Sequence, residues 1–205
     1  MIHVVDDEEP IRDALAWLLR SRDLACRTYA SAEEFLAFVE AGGADGSRPG
    51  ALLLDVRMGR LGGLELFERL GEEGRLAAWP VIFLTGHGDV PMAVEALKRG
   101  AFDFVEKPFN DNSLADRLIA ALEESRRRIE ETREKGLREE RLATLTARER
   151  EVLDLIVEGH YNKVIADRLG IAMRTVEVYR ARVFEKMGVK SAVELARMLG
   201  ERGEA

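Results

Sequence analysis

Short apolar, strand-like runs in the first half of the chain end in residues that packing alone does not explain. Asp6 and Asp7 follow Ile2 to Val5, Asp55 follows Ala51 to Leu54, Thr85 follows Val81 to Leu84, and Lys107, just before Pro108, follows Phe102 to Val105. If these runs are parallel strands of one open sheet, their carboxyl ends share the edge at which such sheets bind ligands. Three carboxylates converging there repel one another unless a cation neutralises them, and hard oxygen ligands favour Mg²⁺. A carboxylate held beside that ion can attack a phosphoryl group, while an ammonium such as Lys107 and a hydroxyl such as Thr85 stabilise the charge of the group in transit. An acidic pair after a strand is, taken alone, more often a helix N-terminal charge preference. The reading rests on all of these strand ends being filled together.

Such residues need a framework. The first 110 residues alternate strand-like runs with helix-period segments. A helical pattern opens near Pro10 and puts Ile11, Leu15, Leu18 and Leu19 on one face, and Leu24 to Tyr29 reads as a second strand. Ser31-Ala32-Glu33-Glu34 is a capping-box sequence ahead of Phe35, Leu36 and Val39. Further helices are expected from about Leu64 and Val90. Five βα units imply an α/β fold, a doubly wound five-stranded parallel sheet covered on both faces.

From Asn112 a helical pattern carries Leu114, Leu118, Ile119 and Leu122, then turns strongly charged from Glu123 to Arg141, with Gly136 its weakest point. This tract reads as a solvated helical extension, either a plain linker or a dimerisation element. The remainder is all helix-period. Thr146-Ala147-Arg148-Glu149 and Ser191-Ala192-Val193-Glu194 are two more capping-box sequences, and Gly159 and Gly170 punctuate the short helices between them. Four short helices with glycine turns suit a small all-α helix-turn-helix module. The expected organisation is therefore residues 1–122, a linker at 123–141, and residues 142–205.

Two domains also fit a length of 205 residues, and 46% hydrophobic with 34% charged residues fits globular cores. No basic stretch leads into an apolar run at the N-terminus, and no segment has the length and apolarity of a membrane span, so a cytoplasmic location without membrane contact is expected. The single cysteine, Cys26, reads as a small core residue. The net charge of −7 is unevenly spread: residues 1–141 hold 20 basic against 28 acidic side chains, and residues 142–205 hold 11 against 10. Any affinity of the second part for nucleic acid must come from clustered rather than bulk charge.

The motifs Val4-Val5-Asp6-Asp7-Glu8, Leu54-Asp55-Val56-Arg57-Met58, Leu84-Thr85-Gly86-His87-Gly88-Asp89 and Lys107-Pro108-Phe109 resemble the receiver domain of two-component response regulators. Asn162 to Ile171 followed by Arg174 to Val183 resembles the LuxR-type helix-turn-helix, and the whole chain is similar to the FixJ/NarL family. The resemblance implies a flavodoxin-like receiver in which Asp55 is the phosphoacceptor, Asp7, Asp55 and the Arg57 carbonyl bind Mg²⁺ directly, and Asp6 binds it through water. It further implies that Thr85 and Lys107 contact the phosphoryl group, with Thr85 and Phe104 as switch residues. A sensor histidine kinase, promoter DNA, RNA polymerase and, on phosphorylation, a second copy of the chain are the partners so implied. Where the family pattern has proline after the Asp55-Val56-Arg57-Met58 motif, this chain has Gly59; where it has serine it has Ala172, and where it often has histidine it has Tyr179. His87, two residues after the threonine, is ordinary in that pattern, and His3 on the first strand reads as structural.

On the third helix of the second part, Val176, Val183 and Met187 share a core face, leaving Arg174, Glu177, Val178 and Ala181 toward the groove with Arg182 nearby. Lys163, Arg174 and Arg182 are expected at phosphates, Glu177 at a cytosine amine and Val178 at a thymine methyl, with Thr175 and Tyr179 completing the surface. Two other functions compete. A phosphatase using the same nucleophile needs a carboxylate two residues later as general acid, and Arg57 stands there. A regulator whose receiver is only structural leaves the filled pocket unexplained. The chain is therefore read as a non-enzymatic regulator that catalyses only its own aspartyl phosphorylation and dephosphorylation.

Overall fold

The computed structural model describes residues 1–43, 46–86 and 90–200, and contacts divide the chain into two compact units, Met1–Glu131 and Thr132–Ala205. The division falls inside the segment read as a linker.

In the first unit, strands β1 (Ile2–Val5), β2 (Cys26–Tyr29), β3 (Ala51–Asp55), β4 (Val81–Thr85) and β5 (Asp103–Glu106) form one parallel sheet in the order β2-β1-β3-β4-β5. This is the flavodoxin-like order, with its switch point between β1 and β3. Helices α1 (Glu9–Ser21), α2 (Ala32–Phe38), α3 (Gly63–Glu72), α4 (Val90–Lys98) and α5 (Asp111–Ala143) follow the strands in turn. Strand side chains alternate between faces. Leu52 and Leu54 join Phe35, Leu66 and Phe83 in one core layer, whereas Ala51 and Leu53 join Leu15, Leu19, Leu114 and Leu118 in the other. Burial on both faces explains why the inner strands β1, β3 and β4 read as nearly continuous apolar runs.

The helix starts follow the sequence with one refinement. Ser31 accepts from the Glu34 amide, but the Glu34 carboxylate reaches back to the Ala30 amide, one residue before the cap; Ser191, Glu194 and the Lys190 amide repeat the arrangement. Only Thr146 and Glu149 satisfy each other reciprocally. Helix α5 runs unbroken through Gly136. Ion pairs one turn apart support its charged stretch, Glu124 with Arg127 and Arg128 and Arg127 with Glu131, and hydrogen bonds from the two arginines hold the Glu124 carboxyl down at about 2. Near the end of the first unit, the buried Ser125 hydroxyl donates to Ala78 O and accepts from the Gly50 amide, tying α5 to the segments that enter β4 and β3.

His3 lies in this core, 2% exposed, with Nδ1 2.8 Å from the Tyr29 hydroxyl and its ring stacked on Trp79 at 4.6 Å. Burial, helped by the N-terminal ammonium and Arg27, lowers its pKa from 6.5 to about 4. Above pH 6.5 the imidazole is neutral in both folded and unfolded chains and contributes no pH dependence. Between 6.5 and 4 only the unfolded chain takes up the proton, so stability falls with pH, by about 3 kcal/mol across the whole window. Urea denaturation of the native protein at pH 7 and pH 5, compared with His3→Leu, is expected to show the native protein losing more stability on acidification; equal losses would remove His3 as the cause.

The second unit contains the end of α5 and four further helices, α6 (Ala147–Val157), α7 (Asn162–Leu169), α8 (Met173–Met187) and α9 (Ala192–Gly200). Val152, Leu153, Ile156, Ile165, Val176, Val183, Met187 and Leu195 form its core. Gly170 ends α7 with φ +65°, a left-handed conformation that turns the chain into α8. The end of α5 holds the last turn of α8: Arg141 donates to Met187 O at 2.9 Å, and Lys186 donates to Thr144 O at 3.0 Å. Gly188, at φ +68°, both closes α8 and leaves space for that guanidinium, because a Cβ there would stand 3.0 Å from Arg141 Cζ. Among the described residues no helix is long and apolar enough to cross a membrane.

Candidate functional site

The carboxyl ends of β1, β3, β4 and β5 bring the singled-out residues together. Lys107 Nζ lies 2.8 Å from Asp55 Oδ1, 3.0 Å from Asp6 Oδ2 and 3.8 Å from Glu8 Oε1. Asp6 is fully buried; its Oδ1 accepts from the Glu8 amide, and Arg12 donates to its backbone carbonyl at 2.8 Å. Asp7 is exposed, and its Oδ2 accepts from the Gly59 amide at 3.2 Å. Asp55 is 6% exposed, and burial pushes the pKa of its carboxyl upward despite Lys107, with Asp6 and Asp7 pushing the same way. Burial works against the Lys107 charge, but hydrogen bonds and attraction from Asp55 and Asp6 outweigh it and hold the ammonium above its ordinary range. The Lys107 amide donates to Thr85 O at 2.8 Å, so β5 delivers the lysine beside β4.

Thr85 is fully buried, and among the described residues its hydroxyl has no hydrogen-bond partner. Buried polar groups are normally paired, so an orphan hydroxyl at a strand end marks a place for a ligand oxygen. The donor set also fits a hard cation: carboxylates at Asp55 and at the exposed Asp7, with Arg57 on the loop after β3. Among the described residues no three acidic or imidazole groups gather closely enough to hold an ion by themselves, and the Lys107 ammonium is the counter-charge observed between Asp6 and Asp55. Phe104 is half-buried against the layer formed by Phe83 and Leu66. His87, with Gly88 and Asp89, lies outside the described residues.

Sequence reasoning missed two contributors. A Cβ on Gly63 would stand 2.1 Å from Asp55 O, and the Gly63 amide donates to Val56 O at 3.1 Å, so α3 begins directly against the backbone of Asp55. The Gly62-Gly63 pair was the available signal. Arg12, which steadies the Asp6 carbonyl, had none.

In the second unit Val176, Val183 and Met187 are buried, while Arg174, Thr175, Glu177, Val178, Ala181 and Arg182 of α8 and Lys163 of α7 are exposed. Tyr179 differs from its neighbours in that surface set, being half-buried against the core, since it falls three residues after Val176 and four before Val183. Ala172 stands at the N-cap of α8 in extended conformation and makes no side-chain cap.

A 2-1-3-4-5 sheet ending in acidic residues, threonine and lysine, followed by a helix-turn-helix unit, defines the response-regulator class. The model for the response regulator receiver domain matches residues 2–119, and that for bacterial regulatory proteins of the luxR family matches residues 143–199. The C4-dicarboxylate transport transcriptional regulatory protein DctR of Rhodobacter capsulatus is 50% identical over 96% of this chain and 98% of its own. The transcriptional regulatory protein FixJ of Rhizobium meliloti is 45% identical over 96% and 93%. Among solved structures, the response regulator StyR superposes with a TM-score of 0.84 at 36% identity over 98% of both chains, and full-length FixJ from B. japonicum with 0.56 at 37% over 97% and 95%. The chain belongs to the FixJ/NarL-type response regulators, which join a receiver domain to a LuxR-type DNA-binding domain.

Proposed function

We propose that this protein is a phosphorylation-activated transcriptional regulator whose Asp55 accepts a phosphoryl group from a sensor histidine kinase. The buried Thr85 hydroxyl, unpartnered among the described residues, carries the reading, because a phosphoryl oxygen on Asp55 supplies a partner for it. An Asp55 oxygen forms the new bond to phosphorus as the donor's phosphorus–nitrogen bond breaks. Lys107, already 2.8 Å from that carboxylate, follows the charge onto the phosphoryl oxygens. Asp7, Asp55 and the Arg57 carbonyl, with Asp6 through a water, would hold Mg²⁺, which would neutralise charge on the transferred group.

Thr85 drawn toward the phosphoryl group leaves room for Phe104 to turn inward, and this changes the surface around β5. A bias of about 5.5 kcal/mol is enough to make a state populated at about 1% dominant. Two copies then pair and place two α8 helices on promoter half-sites, where they meet RNA polymerase in the cytoplasm. The test is sedimentation and DNA titration with and without beryllofluoride and Mg²⁺. Mass and affinity are both expected to rise. If neither moves when the pocket is saturated, the receiver is not the switch.

Neutralising Arg174 or Lys163 is expected to weaken binding to every DNA sequence and to flatten its salt dependence by about one unit of slope per lost phosphate contact. Glu177→Ala is expected instead to relax base preference at one position, read by selection from a randomised site; an unchanged preference removes Glu177 from base reading.

A further inference from the structure

We infer that the Gly59 backbone amide is a positioning group for the Mg²⁺ ligand Asp7, an inference that rests on the metal reading above. Asp7 is exposed where Asp6 is buried, so burial does not fix its carboxylate. The Gly59 N–H donates to Asp7 Oδ2 at 3.2 Å across 52 residues of sequence, linking the loop after the phosphoacceptor strand to the end of β1. An amide donor uses one lone pair of Oδ2 and leaves Oδ1 and the other lone pair of Oδ2 for the cation. Holding a ligating carboxylate in its binding orientation before the ion arrives is what outer donors do at metal sites, and removing one costs about 10- to 100-fold in affinity.

The residue type matters because of the donor. Proline, the residue of the family pattern here, has no N–H and could not make this bond. Nothing requires glycine for space or conformation: a Cβ at position 59 meets no atom within 4 Å, and Gly59 is not among the glycines of positive φ. Alanine therefore keeps both the loop and the donor.

The experiment is Mg²⁺ titration by calorimetry on the full chain, native, Gly59→Ala and Gly59→Pro, with circular dichroism to verify that each variant is folded. Gly59→Ala is expected to bind as the native protein does, and Gly59→Pro about tenfold more weakly. Equal or tighter binding by a folded Gly59→Pro overturns the inference, as does an equal loss in Gly59→Ala, which would trace the effect to the loop and not to its N–H. Should Gly59→Pro fail to fold, the Gly59 amide resonance of the native protein decides: slow hydrogen exchange without Mg²⁺ supports the bond, and exchange at the rate of a free amide overturns it. A native protein that binds no Mg²⁺ at all defeats the metal reading itself, an outcome distinct from either.

Discussion

Asp55→Asn is expected to yield a folded protein that takes up no phosphoryl group. The amide is nearly isosteric with the carboxylate but offers no anionic oxygen to attack phosphorus, so the loss is of the reaction and not of a fraction of its rate. Folding should tolerate the change, because burial already disfavours the Asp55 charge and Asp6 and Asp7 repel it. Lys107 keeps its contact with Asp6 at 3.0 Å. Intact-mass measurement after acetyl phosphate and Mg²⁺ should show an added phosphoryl group on the native protein and none on the variant. Full labelling of Asp55→Asn would move the acceptor elsewhere.

Replacing Glu149 with alanine should have the largest effect on the second unit. Its carboxylate receives the Lys186 ammonium at 2.6 Å and the Thr146 amide at 2.8 Å, and Lys186 also holds Thr144 O. These bonds, the Lys186 one foremost, keep the Glu149 carboxyl down at about 2. One side chain thus caps α6 and fixes the last turn of α8. Its removal leaves the Thr146 amide without its acceptor and the part-buried lysine with Thr144 O alone, a greater loss than deleting both partners together. Thermal denaturation should show a clearly lowered transition, and specific DNA binding should fall at least tenfold, while Asp55 is still labelled by acetyl phosphate. The sign of the pH dependence follows from the lowered value: the stabilisation is complete above the ordinary glutamate range near 4.5 and disappears as pH falls toward 2. An unchanged melting profile at neutral pH would show that the capping box is dispensable.

The fold was legible wherever burial imposed a period. Strands covered on both faces appear as apolar runs, and residues out of character at strand ends mark the pocket, so Asp6, Asp55, Thr85 and Lys107 are legible together from the sequence. What could not be read depends on close approach in three dimensions. Gly63 matters because of a carbonyl eight residues earlier, Arg12 because of where α1 leans, and Lys186 because α8 passes the end of α5. The reach of the glutamates at Ala30 and Lys190 is likewise invisible in a motif that both helices share with Thr146. Tyr179 was placed by analogy of position with a polar residue, whereas its spacing from Val176 and Val183 would have put it at the edge of the core.

The hydrogen bond from Arg141 to the end of α8 bears on where the chain can be cut. A fragment beginning at residue 143, where the match to luxR-family proteins begins, would carry every base-facing side chain proposed here yet lack the guanidinium that engages Met187 O. Its helix α8 would fray at the C-terminal end, and weak DNA binding by such a fragment would be mistaken for an intrinsic lack of affinity. Expression boundaries placed at or before Thr132 keep that support, and a protease nick between Arg141 and Thr146 should be read as damage to the reader rather than as its release.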